Sequence, residues 1–69
     1  MTELTADTIR ALRHALGMTQ QAFADHLGVS ITSVRDWEQE RRKPRGLYAR
    51  ALEQQIATQR EAEAGKVAA

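Results

Sequence analysis

The sequence predicts an all-α fold, a small bundle of about four helices that contains a helix-turn-helix. Apolar residues recur at helical spacing in four segments, and no segment shows the alternation of a strand. Each segment is bounded by residues that cap or interrupt helices. A chain of 69 residues buries only about 60% of its unfolded surface, so it has room for one small domain and none for a deep catalytic cavity.

The first two helices are predicted over about 6–16 and 20–27. In the first helix, apolar residues repeat at helical spacing: Ile9, Leu12 and Leu16. In the second helix, the apolar residues are expected to face inward: Ala22, Phe23 and Leu27. A threonine that can act as N-cap precedes each helix, and a glycine that can take a positive φ follows it: Thr5 and Gly17, then Thr19 and Gly28. Local signals therefore mark both ends of both helices.

A tight turn joins the second and third helices. Ala24 precedes Gly28 at the point where the two helices cross, so a larger side chain there would force them apart, and Val29 places an apolar side chain from the turn in the core. The third helix is predicted over about 31–39, with Ser30 as its N-cap. Its buried side is formed by Val34 and Trp37. The opposite side must then face outward: Ile31, Thr32, Arg35, Asp36 and Gln39.

The fourth helix follows Pro44 and is predicted to begin at about 46 and to end between 57 and 64. It has apolar residues on more than one side: Leu47, Tyr48, Ala51, Leu52 and Ile56. We expect residues 1–58 to form the domain and residues 59–69, which are rich in alanine and glutamate, to be a frayed or disordered tail.

The outward side of the third helix suits the major groove of DNA better than plain solvent. Apolar atoms can contact thymine methyl groups, hydroxyls can bond to any base, and arginine can bond twice to guanine. The net charge is only +1, but residues 41–50 contain five cations and no acid: Arg41, Arg42, Lys43, Arg45 and Arg50. Such a run is usually a solvated loop. Its place directly after a candidate recognition helix favours contact with nucleic acid instead.

Composition excludes several other classes of protein. The chain has no cysteine, which rules out disulfides and thiolate metal sites. His14 and His26 lie on different helices without further ligands at metal spacing, so we expect surface histidines, no metal site and no cofactor. No catalytic constellation is present, and we expect no enzyme. We also expect no membrane contact and a cytoplasmic location, since no apolar run or signal-peptide pattern appears.

The chain resembles the Cro/repressor, or Xre-like, family of helix-turn-helix regulators over about residues 6–56. The residues that carry the resemblance are Met18-Thr19-Gln20, Ala24 and Gly28, Val29-Ser30, Trp37-Glu38 and the basic segment that closes at Pro44. The resemblance implies a lambda-repressor-like domain whose third helix enters the major groove of double-stranded DNA. It also implies a partly buried pair between Arg13 and Glu38.

The resemblance assigns roles to individual positions. Those that approach base edges are Ser30, Ile31, Thr32, Arg35 and Asp36, and Arg35 is the strongest candidate for guanine. Those that approach phosphates are Gln20, Gln21, Ser33, Arg42, Lys43 and Arg45. Asp36 fits this setting only as an acceptor from a cytosine amine or as a group that orients Arg35. Trp37 is expected to be core.

Two features depart from the family pattern. Glu40 stands where many members have glycine, so we expect the third helix to run longer or to end in another way. Many relatives also have a fifth helix, whereas we expect this chain to end with the fourth.

One module of this size buries little DNA surface, so we expect a homodimer on a near-palindromic operator with half-sites about 34 Å apart. Two candidate seams lie on the fourth helix: Tyr48 with Leu52 and Ile56, or Leu47 with Ala51. The expected function is a transcriptional regulator, most simply a repressor. The alternatives are an antitoxin that also binds a toxin protein, and an adaptor that binds proteins without reading DNA.

Overall fold

The computed structural model describes residues 4–68, and these form four α-helices and no strand. The helices are α1 (Ala6–Ala15), α2 (Gln20–Leu27), α3 (Ile31–Glu38) and α4 (Gly46–Ala68). This architecture confirms the predicted all-α bundle. The first three helices begin at the predicted residues and end at, or one residue before, the predicted position.

Hydroxyl side chains cap the first three helices, as predicted. In each case the hydroxyl oxygen accepts a hydrogen bond from a backbone N–H one turn on: Thr5 from Thr8 at 3.1 Å, Thr19 from Ala22 at 3.1 Å and Ser30 from Ser33 at 3.2 Å. At α1 the Thr8 hydroxyl also accepts from the Thr5 N–H at 2.8 Å, which completes a capping box. Each cap satisfies an N–H that the helix itself leaves free and contributes about 1 kcal/mol.

The same left-handed exit ends all three of these helices. One or two residues after each helix, the backbone has a positive φ, which is 68° at Gly17, 73° at Gly28 and 62° at Glu40. The next N–H then donates back to a carbonyl inside the helix: Met18 to Arg13 at 3.1 Å, Val29 to Ala24 at 3.0 Å and Arg41 to Asp36 at 2.9 Å. The prediction that Glu40 would lengthen or redirect α3 is therefore wrong. The turn keeps its geometry and tolerates a side chain in a strained conformation.

The core lies where the helices meet and is made of the side chains of Ile9, Leu12, Phe23, Ala24, Val34, Trp37, Leu52 and Ile56. Ala24 is fully buried, and the half-buried Val29 packs against this cluster. Trp37 is buried, as predicted. Leu52 and Ile56 are buried as well, so they cannot form the first of the two predicted dimer seams.

α4 continues to Ala68, beyond the predicted end between 57 and 64. It passes through Gly65, which a helix tolerates at a cost of about 1 kcal/mol. Among the α4 side chains that the structure describes, up to residue 64, Ile56 is the last in the core, and every side chain over 60–64 is exposed. The division between a domain over 1–58 and a tail over 59–69 stays a prediction. None of the helices within residues 4–68 combines the length and the apolarity that a bilayer crossing needs.

Candidate nucleic-acid interface

α3 presents one side to the core and the other to the exterior. Val34 is fully buried and Trp37 nearly so, which fixes the rotation of the helix against α1 and α2. As a result, Thr32, Arg35 and Gln39 are exposed along the opposite side, and Ser30 is exposed at its start. We call the surface formed by Ser30, Ile31, Thr32, Arg35 and Asp36 the reading face.

Two residues of the reading face are less exposed than predicted. Ile31 is half-buried and packs against the core cluster, because only three residues separate the end of α2 from the start of α3. Asp36 is also partly covered, with 18% of its side chain exposed. Its carboxylate lies 3.9 Å from the Nε atom of Arg42, a partner that the sequence did not indicate. Asp36 thus connects the reading face to the loop that follows α3.

A buried ion pair holds α3 against α1, as predicted. Arg13 donates from Nε to Oε2 of Glu38 at 2.8 Å and from Nη2 to Oε1 at 3.0 Å. Only 13% of the Arg13 side chain and 4% of the Glu38 side chain are exposed. Arg13 also donates to the carbonyl of Met18 at 3.1 Å, and Gln20 donates to Glu38 at 3.4 Å. This network joins α1, the start of α2 and the end of α3.

The start of α2 offers backbone rather than side-chain donors. The Gln20 amide is turned toward Glu38, and the exposed Gln21 amide donates to Asp25 at 3.0 Å. Helix geometry leaves the backbone N–H groups of these first residues without an acceptor inside the helix. An anion placed at this helix end would therefore meet Gln20 and Gln21 mainly through their backbone.

The loop between α3 and α4 lies beside α3 and carries exposed cations. Arg41, Arg42, Lys43 and Arg45 are all exposed, and the half-buried Pro44 lies among them. The half-buried Ser33 lines the same groove as these four cations. The structure thus brings together Ser33 and the three predicted loop cations, whereas Gln20 and Gln21 lie on α2. Tyr48 also lines this groove, although the sequence pattern did not mark it as a binding residue.

Both histidines are exposed, on α1 and α2. His26 lies 3.3 Å from the side-chain oxygen of Gln55 on α4. Within the described part of the chain, no cluster of His, Asp and Glu is arranged to hold a metal ion.

Two short helices joined by a glycine turn, with an exposed second helix beside a basic loop, define a helix-turn-helix domain. A helix-turn-helix family model matches residues 9–62, which is most of the chain. The protein belongs to this family, in its Xre/Cro-like branch. The family supports DNA binding.

One curated relative is the Type II methyltransferase M.SsoII of Shigella sonnei, which is 42% identical over 55 residues. The match covers 75% of this chain but only 14% of the methyltransferase. It therefore relates this chain to a small part of that protein and does not make this chain an enzyme. No solved structure matched the chain.

Proposed function

We propose that this protein is a transcriptional regulator that recognises a specific sequence of double-stranded DNA by placing α3 in the major groove. The observation that carries the proposal is the mostly polar reading face, in which Ser30, Thr32 and Arg35 are exposed, next to four exposed cations. A rigid core and a buried ion pair hold this face in one orientation. Shape, chemistry and local charge therefore agree with a DNA duplex as the partner.

The reading face supplies the base contacts in this proposal. Arg35 reaches the O6 and N7 acceptors of a guanine, and the hydroxyls of Ser30 and Thr32 bond to neighbouring bases. The exposed part of Ile31 contacts a thymine methyl group. Asp36 accepts a hydrogen bond from a cytosine amine when Arg42 turns away from it to a phosphate. Arg42 is free to turn because its side chain is 80% exposed and its Nε atom lies 3.9 Å from the Asp36 carboxylate.

Phosphate contacts come from both sides of the reading face. Ser33, Arg42, Lys43 and Arg45 bind one stretch of backbone from the groove beside α3. Gln20 and Gln21 bind another through the N-terminus of α2. These contacts set the register of the protein on DNA and provide affinity, while the base contacts provide sequence discrimination.

We further propose a homodimer on a near-palindromic operator, since one domain of this size covers too little DNA for tight specific binding. With Leu52 and Ile56 in the core, the remaining seam is the one around Leu47 and Ala51. Leu47 is 82% exposed, so its side chain is available for contact with a second chain. Repression in the cytoplasm, by covering a promoter, is the simplest mode of action.

An antitoxin role is the second candidate, and the length of α4 favours it. The helix continues well past Ile56, and its side chains over 60–64 are all exposed. A toxin protein could bind this projecting helix without covering the reading face. If a co-encoded protein leaves the affinity of this chain for DNA unchanged, the antitoxin role is contradicted.

Selection of bound sequences from a random duplex library tests the main proposal, with native mass spectrometry of the selected complex. We expect a two-fold symmetric site bound by two chains. Binding that is weak, strongly salt-dependent and without sequence enrichment would contradict a specific regulator. A single chain on an asymmetric site would contradict the homodimer alone.

A further inference from the structure

A groove of about 1010 Å³ runs between α3 and the start of α4. Its floor is apolar and aromatic and includes Val29, Trp37 and Tyr48. Its rim carries four cations: Arg41, Arg42, Lys43 and Arg45. Among the described residues that line it, Glu40 is the one acid. The groove is therefore complementary to a polyanion that also presents apolar surface.

The groove borders the reading face along one edge of α3. Ser33 and Trp37 are one helical turn apart on α3, so they lie on a single edge of this helix, and Val29 lines the groove from the turn before it. Thr32 and Asp36 lie on the adjoining face. A helix inside a major groove about 12 Å wide has a sugar–phosphate backbone on each side. When the reading face meets base edges, the backbone on the α4 side must pass over this groove.

Tyr48 is held in this groove with part of its ring accessible. Its ring centroid lies 6.3 Å from that of Trp37, and the two ring planes are inclined by 45°. Trp37 is 7% exposed, whereas Tyr48 is 45% exposed. The contact with a core tryptophan limits the freedom of Tyr48, so little conformational entropy would be lost on binding.

We infer that the hydroxyl of Tyr48 donates a hydrogen bond to a phosphate of the DNA backbone segment that the proposed function places in this groove. The apolar floor packs against deoxyribose, and the four cations neutralise the neighbouring phosphates. This inference rests on the proposed function and adds a binding residue on α4 to it. DNA suits the groove better than a second copy of this chain, because a chain with a net charge of +1 offers no surplus of negative charge.

The test compares Tyr48→Phe with the wild-type chain on a duplex that the wild type binds. The substitution keeps the ring beside Trp37 and removes only the hydroxyl. We expect binding to weaken about tenfold to a hundredfold, as for one lost hydrogen bond to a charged acceptor. The dependence of affinity on salt should stay the same, because no charge changes. Thr58→Ala, which removes an exposed hydroxyl elsewhere on α4, is the matched control and should bind like wild type.

A scan with neutral phosphate replacements locates the contact. Single methylphosphonate groups are placed along the duplex. The loss of affinity that each one causes is measured for the wild type and for Tyr48→Phe. We expect one or two positions beside the half-site where the penalty shrinks in the variant, since both changes remove the same interaction. Fluorescence of Trp37, the single tryptophan, should change on binding, because its ring lines the groove floor.

The outcomes separate the two proposals. If the wild type binds a specific duplex and Tyr48→Phe binds equally well, the role assigned to Tyr48 is wrong and the regulator stands. If every methylphosphonate weakens the binding of Tyr48→Phe by the same factor as the binding of the wild type, Tyr48 does not bond to a phosphate. That result would also overturn the assignment. If the wild type binds no duplex, both proposals fall together. Thermal unfolding of Tyr48→Phe at the wild-type temperature excludes a loss of folding as the cause of weaker binding.

Discussion

Replacing Glu40 by glycine should make the protein more stable. Glu40 has a φ of 62° in the turn after α3, where Gly17 and Gly28 occupy the equivalent turns after α1 and α2. A left-handed backbone costs an L-residue roughly 1–2 kcal/mol relative to glycine. Glycine also loosens the unfolded chain, which offsets about 0.4–1 kcal/mol of this gain. Because the Glu40 side chain is exposed, little packing is lost.

The expected net effect of Glu40→Gly is therefore a rise of about 0.5–1 kcal/mol in the free energy of unfolding. For a domain of this size it corresponds to an increase in Tm of about 2–8 °C. Thermal and urea unfolding, followed by circular dichroism, measure both quantities. Glu40→Ala is the first control, because it removes the carboxylate but keeps the strained backbone, and its stability should stay close to wild type.

Gly28→Ala is the mirror-image control. No heavy atom lies within 4 Å of a Cβ added at Gly28, whose φ is +73°, so the substitution introduces backbone strain without a clash. We expect a loss of about 1 kcal/mol. Two results would refute the reasoning about Glu40. One is a Glu40→Gly variant no more stable than wild type, and the other is a Glu40→Ala variant stabilised by the same amount, which would assign the effect to charge.

Three further predictions concern the ion pair, the DNA contacts and the dimer seam. Arg13→Met should lower the free energy of unfolding by about 3 kcal/mol, because it leaves the Glu38 carboxylate buried and unpaired, and adding Glu38→Leu should recover part of the loss in urea unfolding. Arg35→Ala should weaken operator binding by about 1–3 kcal/mol and reduce sequence specificity at one base pair. Lys43→Ala should weaken binding to all duplexes alike and lower the slope of affinity against salt by about one. Binding titrations in which both variants behave alike would contradict the division into base and phosphate contacts. Leu47→Asp should abolish dimers on the operator in native mass spectra and leave Tm unchanged, since Leu47 is 82% exposed, and a dimer that persists would move the seam elsewhere.

Local sequence was sufficient for most of the helix ends. Hydroxyl caps and glycine exits depend only on residues within one turn of each other, so their spacing in the chain predicts their hydrogen bonds. The Arg13–Glu38 pair was predicted by another route, from the resemblance to a family whose members share it. Glu40 shows the limit of local reasoning. Its intrinsic preference argued against the left-handed turn, yet packing of α3 and α4 against the same core outweighs about 1 kcal/mol of strain.

The sequence predicted which side of α3 forms the candidate site, but not the burial and pairing of every residue on it. The rotation of α3 follows from the positions of Val34 and Trp37, so Thr32 and Arg35 could be placed on the exposed side from the sequence. The partial burial of Ile31 could not, because it depends on how closely α3 follows α2. The pairing of Asp36 with Arg42 depends likewise on the path of the loop, which the chain reaches only after the turn at Glu40.

By itself, the sequence determined that this chain is a helical domain with a helix-turn-helix, because capping, helical periodicity and the spacing of the turn are short-range properties. Only the tertiary structure decided which side of α4 faces the core, since apolar residues lie on more than one of its sides. Packing against α1 buries Leu52 and Ile56 and leaves Leu47 and part of Tyr48 exposed. The groove beside α3 also forms only when α4 is packed in place, because its walls come from elements that the turn and the loop bring together.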